Sequence, residues 1–206
     1  MYSLKKKVEG IILSGGYSER MGYPKSLLEW DKKTLLEYQI NSLITGGCDG
    51  VLVITGKHHK EITKGINLNN KSKIIFNENY HEGKSTSIKK GIENLSKDIY
   101  SFIILAVDQP RPSWVISKML RSHIYFDSLI SSPVSNNHGG HPLIFNHKLI
   151  EEIKNIDEKT LGLRKIFLNN KNEVKKVKFN SNIVNIDIND MKNYLYALSY
   201  FRNISK

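Results

Sequence analysis

The sequence predicts an α/β fold with a mostly parallel sheet, and three observations predict it. Residues 8–13, 51–55 and 102–107 are short apolar runs without polar alternation, as expected of strands buried on both faces. Residues 35–43 and 85–95 between them carry helical spacing, with Ile88, Ile92 and Leu95 on one face. The apolar runs also stop abruptly, at Ser14-Gly15-Gly16, at Gly56 and at Asp108-Gln109-Pro110. Strands alternating with helices give βαβ units, and sheets of this kind bind ligands beyond the carboxyl ends of their strands. The loops after residues 13 and 107 both lie at such ends, so they can meet at one crevice despite their separation in sequence.

The remaining elements follow in order. Residues 74–77 read as a third strand, and Pro112 opens a helix that runs to about residue 122. Residues 129–131 form a short strand, 135–140 a polar loop ending in glycine, and 142–145 another strand. Residues 149–156 and 161–168 have helical spacing. Residues 174–179 and 183–186 read as late strands, and 190–201 as a closing helix with Asp190 as its N-cap. No linker, repeat or low-complexity block interrupts the chain. Residues 1–206 are expected to form one domain, with a nucleotide-binding half (about 7–110) and an acceptor-binding half (about 111–206).

Composition narrows the function. Of 206 residues, 39% are hydrophobic and 25% charged, which is ordinary for a globular chain. No segment has the ~18 apolar residues of a membrane helix, and the apolar stretch behind the basic N-terminus is too short for a signal-peptide core, so a cytoplasmic location is expected. The single cysteine, Cys48, excludes an intrachain disulfide and a Cys-rich zinc site; beside Gly47 it reads as a small core residue. The net charge is +11, but the lysines are scattered, with the densest runs at Lys5-Lys6-Lys7 and Lys175-Lys176. Without an arginine-rich stripe or a nucleic-acid-binding signature, nucleic acid is not an expected partner; part of the charge can gather anionic small molecules.

The main chemical signal is Leu13-Ser14-Gly15-Gly16-Tyr17-Ser18-Glu19-Arg20-Met21-Gly22-Tyr23-Pro24-Lys25-Ser26-Leu27-Leu28. Glycines let backbone N–H groups approach phosphate oxygens. Ser18 adds a hydroxyl, Arg20 a planar fork of donors and Lys25 a compact charge. A triphosphate under attack at phosphorus needs this neutralisation. The spacing is neither the phosphate loop of ATPases nor the dinucleotide fingerprint. Asp108, closing the most strand-like run, can either hold Mg²⁺ against phosphates or cap the following helix. Gly83-Lys84-Ser85-Thr86-Ser87 reads from the residues alone as a helix N-terminus with serine caps. His138, His141 and His147 are spaced poorly for a shared zinc ion.

After a strand, Gly-x-Ser-x-Arg-Met-Gly-x-x-Lys-x-Leu-Leu resembles the signature of the MobA/MocA-like nucleotidyltransferases, and the resemblance covers most of the chain. It implies a three-layer α/β/α, Rossmann-like nucleotidyltransferase fold and transfer of a nucleotide from an NTP to a phosphorylated acceptor, with release of pyrophosphate. It implies Mg²⁺ as cofactor, held by Asp108 and by Asp187 of the late Asn185-Ile186-Asp187 element, with Asp190 the competing choice for the second ligand beside its reading as a helix cap. Leu13, Ser14, Gly15, Gly16, Ser18, Arg20, Lys25, Gly83, Ser85 and Ser87 would bind the nucleotide, with Arg20, Lys25 and Asp108 as catalytic residues. Gly140, His141, Pro142 and Arg164 would bind the acceptor.

The Asp-Gln-Pro form and Pro24 before Lys25 look like the cytidylyl (MocA) branch, whereas Gly15-Gly16 looks like the guanylyl branch. The expected substrates are therefore CTP and molybdopterin, with GTP and molybdenum cofactor, or a sugar or polyol phosphate acceptor, as alternatives. A non-catalytic nucleotide-binding protein is the alternative of another class. Lys159-Thr160-Leu161-Gly162-Leu163-Arg164 departs from the family's Gly-Asp-x-Gly-x-Arg, because Thr160 stands where an acid is usual. A molybdoenzyme or its maturation factor is the implied protein partner.

Overall fold

The structure, a computed structural model, describes residues 6–204. The ends of the chain, including Lys5 of the basic run, lie outside the described residues. The strands are β1 (Val8–Ser14), β2 (Glu29–Trp30), β3 (Lys33–Thr34), β4 (Gly50–Thr55), β5 (Ser72–Phe76), β6 (Ser101–Ala106), β7 (Ile130–Ser135), β8 (His138–Gly139), β9 (Leu143–Asn146) and β10 (Val174–Lys178). The helices are α1 (Leu35–Gly46), α2 (His59–Gly65), α3 (Lys84–Glu93), α4 (Ser113–Tyr125), α5 (Ile150–Lys154), α6 (Leu163–Asn169) and α7 (Met191–Ile204).

The main sheet runs β10-β7-β9-β6-β1-β4-β5, with β8 added to β7 as a hairpin, and β2 and β3 pair separately. β6, β1, β4 and β5 are mutually parallel, and β10 is parallel to β7. β9 is antiparallel to both of its neighbours, and β8 to β7. The chain moves outward from β1 to β4 and β5, then returns to place β6 on the other side of β1. That reversal opens a crevice at the carboxyl ends of β1 and β6, the location the sequence implied.

Alternation along the strands builds the two cores. Val8 and Ile12 of β1, Val51 and Val53 of β4 and Ile103 of β6 pack with α1 and α4. Ile11 and Leu13, Leu52 and Ile54, and Phe102 and Ile104 pack on the opposite face with α3, α5 and α6. Buried on both faces, these strands need no polar alternation, which is why they read as continuous apolar runs. The result is the expected α/β/α sandwich.

Local signals fix the helix ends. Thr34 Oγ1 accepts from the Glu37 N–H, and the Glu37 carboxylate accepts from the Thr34 N–H, forming a capping box before α1; Gly47, at φ 118°, ends that helix. Asn136 and Asn137, at φ 49° and 63°, make the tight turn between β7 and β8.

One element differs in kind from the sequence expectation. Residues 183–186, read as a strand, fall in a 3₁₀ turn, Asn182–Asn185, with Ile186 as its C-terminal flank. Ile183, Val184 and Ile186 are buried as strand residues would be. The carbonyls of Val184 and Ile186, however, are taken by the Arg111 guanidinium rather than by a neighbouring strand. The helix α2 and the β2–β3 hairpin had no counterpart in the sequence reading.

Candidate active site

The loop after β1 is held open by small residues. The Ser14 and Ser26 hydroxyls share a hydrogen bond, fastening the end of β1 to the 3₁₀ turn Lys25–Leu27. A Cβ on Gly56 would lie 2.6 Å from the Gly15 carbonyl oxygen and 2.7 Å from Tyr80 Cβ, so only glycine lets the two loops approach this closely. At Gly16 a Cβ would meet nothing within 4 Å; the space beyond it is the cavity. Ser18 takes a left-handed conformation (φ 53°), and its hydroxyl accepts from the Lys25 N–H at 3.4 Å. This fold-back brings Lys25 into the crevice.

The cavity there has a volume of about 340 Å³. Leu13, Ser14, Gly15, Gly16 and Ser18 line it from the β1 loop, Pro24 and Lys25 from the next turn, and Asp108 from the end of β6. Gly83, Lys84 and Ser87 contribute from the start of α3, with Tyr80 and His81 just before it. The Lys25 ammonium meets Asp108 Oδ2 at 3.0 Å, with the two side chains 13% and 28% exposed. Ser87 Oγ accepts from Asn77 Nδ2 at 3.0 Å, so its position is set from below by β5. The Tyr17 and Tyr80 rings stand 5.8 Å apart, forming an aromatic wall.

A second layer ties the carboxyl end of β6 to the late turn. The Ile188 N–H donates to the Asp108 carbonyl at 2.7 Å, which brings Asp187 beside the Asp108 segment. Arg111 is fully buried. It donates to the carbonyls of Pro110, His141, Val184 and Ile186 at 2.7–2.8 Å, and its Nη2 stands 3.7 Å from Asp187 Oδ1. Burial pulls the Arg111 pKa down to about 10, against the opposing pull of Asp187 and Asp108, so the residue stays charged. Burial also raises the Asp187 carboxyl above its usual range, partly offset by Arg111.

Gln109 Oε1 accepts from the Ala106 N–H, which leaves its Nε2 to donate to His141 Nδ1 at 2.9 Å. That bond places the His141 proton on Nε2. Burial, reinforced by Arg111, lowers the His141 pKa to about 4, so the ring is a neutral donor at neutral pH. The neighbouring Gly140 has no room for a side chain, since its Cβ would lie 2.2 Å from the Val184 carbonyl oxygen.

The structure thus brings together at the cavity Leu13, Ser14, Gly15, Gly16, Ser18, Lys25, Gly83, Ser87 and Asp108; Asp187 and His141 are tied to the adjoining Asp108–Arg111 segment without lining the cavity, and Gly140 and Pro142 flank His141. Three candidates lie elsewhere. Arg20 is exposed and lines an adjoining cavity of about 240 Å³ with Tyr17, Ser18 and Lys25. Ser85 is buried and does not line the cavity; its N–H donates to Glu158 Oε1 at 2.6 Å, so that carboxylate covers the start of α3. Arg164 is exposed in the first turn of α6 and does not line the cavity.

The Thr160 hydroxyl donates to the Asp157 carbonyl. Asp190 accepts from the Asn193 N–H, which makes it the cap of α7. Arg111, Tyr80, Lys84 and Glu158 were not singled out in the sequence. Arg111 carried one signal, a cation between two prolines directly after the Asp108 loop. Lys84 lay inside a segment already noted for its serines.

The profile of the MobA-like NTP transferase domain matches residues 10–174. The nicotine blue oxidoreductase of Paenarthrobacter nicotinovorans is 27% identical over 80% of this chain and 82% of its own. A probable molybdenum cofactor guanylyltransferase of Bacillus mycoides is 26% identical over 71% of each chain. The molybdenum cofactor cytidylyltransferase of Escherichia coli is 26% identical over 66% of this chain and 69% of its own.

Among solved structures, Rv0371c of Mycobacterium tuberculosis superposes with a TM-score of 0.81 at 16% identity, covering 95% of this chain and 100% of that one. A manganese complex of Rv0371c gives 0.77 at 16% identity, covering 94% and 98%. A nucleotidyl transferase of Methanothermobacter gives 0.80 at 18% identity, covering 96% and 99%.

Proposed function

The chain belongs to the MobA-like NTP transferase domain family and is a nucleotidyltransferase of that type; on that premise we propose that it transfers CMP from CTP to molybdopterin and releases pyrophosphate. The observation that carries this reading is the Lys25–Asp108 pair facing a glycine loop across one cavity. The support for CTP as the nucleotide donor is the resemblance of Pro24 before Lys25, and of Asp108-Gln109-Pro110, to the cytidylyl branch. A molybdoenzyme, or the factor that matures it, would receive the product.

The donor set fits a divalent cation. Among the described residues, no group of three or more His, Cys, Asp or Glu side chains could hold a metal ion. Asp108 and Asp187 come from adjacent segments, and Mg²⁺ characteristically takes one or two carboxylates and completes its shell with phosphate oxygens and water. These two side chains would hold it, and the bound ion supplies Lewis-acid neutralisation of phosphate charge.

The protein's own groups do the rest. The backbone N–H groups of Gly15 and Gly16 face the triphosphate, and Lys25 exchanges its contact with Asp108 for one with phosphate oxygens. An acceptor phosphate oxygen attacks the α-phosphorus in line. A new P–O bond forms, the α–β bridging P–O bond breaks, and pyrophosphate leaves with the bonding pair. The nucleophile is already ionised near neutral pH, so no general base is needed. Positioning and charge neutralisation supply the acceleration. Neutral His141 offers its Nε2–H to the acceptor.

The experiment is pyrophosphate release with Mg²⁺ and a molybdopterin-type acceptor, with CTP and GTP side by side. Release with CTP is expected. Release with GTP alone would overturn the base assignment, and silence with both while nucleotide still binds would overturn the acceptor.

A further inference from the structure

The closing helix α7 does not have the polar outer side of a helix packed on one face. Only Ala197 and Phe201 of its 14 residues are buried, while Met191, Leu195, Tyr196 and Ile204 are 43–59% exposed. A surface helix normally turns charged and polar residues to solvent. Met191, Leu195 and Leu198 instead form a stripe at i, i+4 and i+7, continued by Arg202 at i+11.

A groove of about 540 Å³ runs beside this stripe, between α7 and the β2–β3 turn, and Leu195 and Leu198 line it. Its aromatic surface is made by Trp30 and Phe201, 5.0 Å apart edge to face, and by Tyr38, 6.1 Å from Phe201. The Tyr194 hydroxyl donates to the Glu29 carbonyl, which fixes α7 to β2 and sets the width of the groove. Among the described residues, none that lines the groove also lines the nucleotide cavity.

The charges of the groove point to its occupant. Its lining carries one acid, Asp31, and one base, Arg202, both exposed. Among the described residues neither forms an ion pair within the chain. Copies of a chain with net charge +11 repel, so a self-contact has to lie where local charge cancels, and this lining is such a place. It also holds both members of each complementary pair, an exposed leucine with an aromatic recess and an acid with a base. A two-fold contact has that requirement, because one patch must complement itself. A partner of a single charge sign would be attracted by one of the two residues and repelled by the other.

We propose that this groove is the contact between two copies of the chain related by a two-fold axis, with Leu195 of each copy seated in the groove of the other and Asp31 of each paired with Arg202 of the other. Each copy keeps its own nucleotide cavity, which lies outside the contact.

Sedimentation equilibrium on the full chain between about 1 and 100 µM tests this, because a dimer of this kind is concentration-dependent. A particle of twice the chain mass is expected. Leu195→Glu, at an exposed position, should weaken self-association at least about 100-fold with an unchanged thermal melt of the diluted monomer. Asp31→Arg and Arg202→Asp should each weaken it about tenfold, because each sets like charges together twice across the axis. The double variant Asp31→Arg/Arg202→Asp restores both pairs and should return to within about threefold of wild type. A wild type that stays monomeric throughout, a dimer that survives Leu195→Glu, or charge effects that add in the double variant instead of cancelling overturns the inference.

Discussion

Replacing Lys25 with alanine separates two roles that the structure gives to one side chain. In the nucleotide-free protein Lys25 neutralises Asp108 at 3.0 Å, and during transfer it neutralises phosphate. At that distance and an effective dielectric near 20, the bare Coulomb attraction is about 5 kcal/mol. Desolvation and the partial exposure of both groups reduce the net value to about 1–2 kcal/mol. A cation arriving at Asp108 must displace Lys25. In Lys25→Ala, metal affinity measured without nucleotide should therefore rise by about 5- to 30-fold.

Turnover should move the other way, falling by about 10²–10³, the scale of one lost donor in the transition state. Mn²⁺ titration followed by electron paramagnetic resonance gives the first quantity, and pyrophosphate release gives the second. Unchanged turnover, or weaker metal binding in the variant, would refute the reasoning.

The glycines separate close approach from ligand space. Gly56→Ala should cost about 1–3 kcal/mol in urea unfolding, because its Cβ meets the Gly15 carbonyl and Tyr80. Gly16→Ala should change stability by less than about 0.5 kcal/mol, yet raise the KM for nucleotide. Arg111→Met should cost about 3–5 kcal/mol in the same assay, since four carbonyls lose their buried donor.

Acid should destabilise the fold through two histidines. His123, fully buried between Ser101 and Ser131, and His141 both have pKa values lowered to about 4, chiefly by burial. The unfolded chain takes up these protons near pH 6.5 and the folded chain only near pH 4. Their contribution is thus complete above pH 6.5 and is lost as pH falls toward 4. Unfolding free energy should drop by about 2 kcal/mol for each histidine between pH 7.5 and 5; a flat profile would contradict the assignment.

What the sequence disclosed and what it concealed have a common physical cause. The β1 loop and Asp108 were legible because each is a contiguous signal: a doubly buried strand has no polar alternation, and a glycine pair or a lone acid directly after such a run stands out. Arg111 was not legible, because one cation among 31 looks like solvated surface until tertiary contacts surround it with carbonyls. Ile183, Val184 and Ile186 misled for the matching reason. They are buried like a strand, but the carbonyls of Val184 and Ile186 pair with that same arginine.

The helix α2 was missed because Ile62 is its one buried residue, too little to show a period. Ser85 read as a ligand to the nucleotide because serines at a helix start invite that reading. Only the fold shows Glu158, 73 residues away, already on its N–H.

The most direct test of the central claim is acceptor-dependent pyrophosphate release from Mg-NTP, compared between wild type and Asp108→Asn. Release by the wild type and its loss in Asp108→Asn, with nucleotide binding retained, is the expected result. Equal release by the two proteins, or nucleotide binding without release in the wild type, would contradict it.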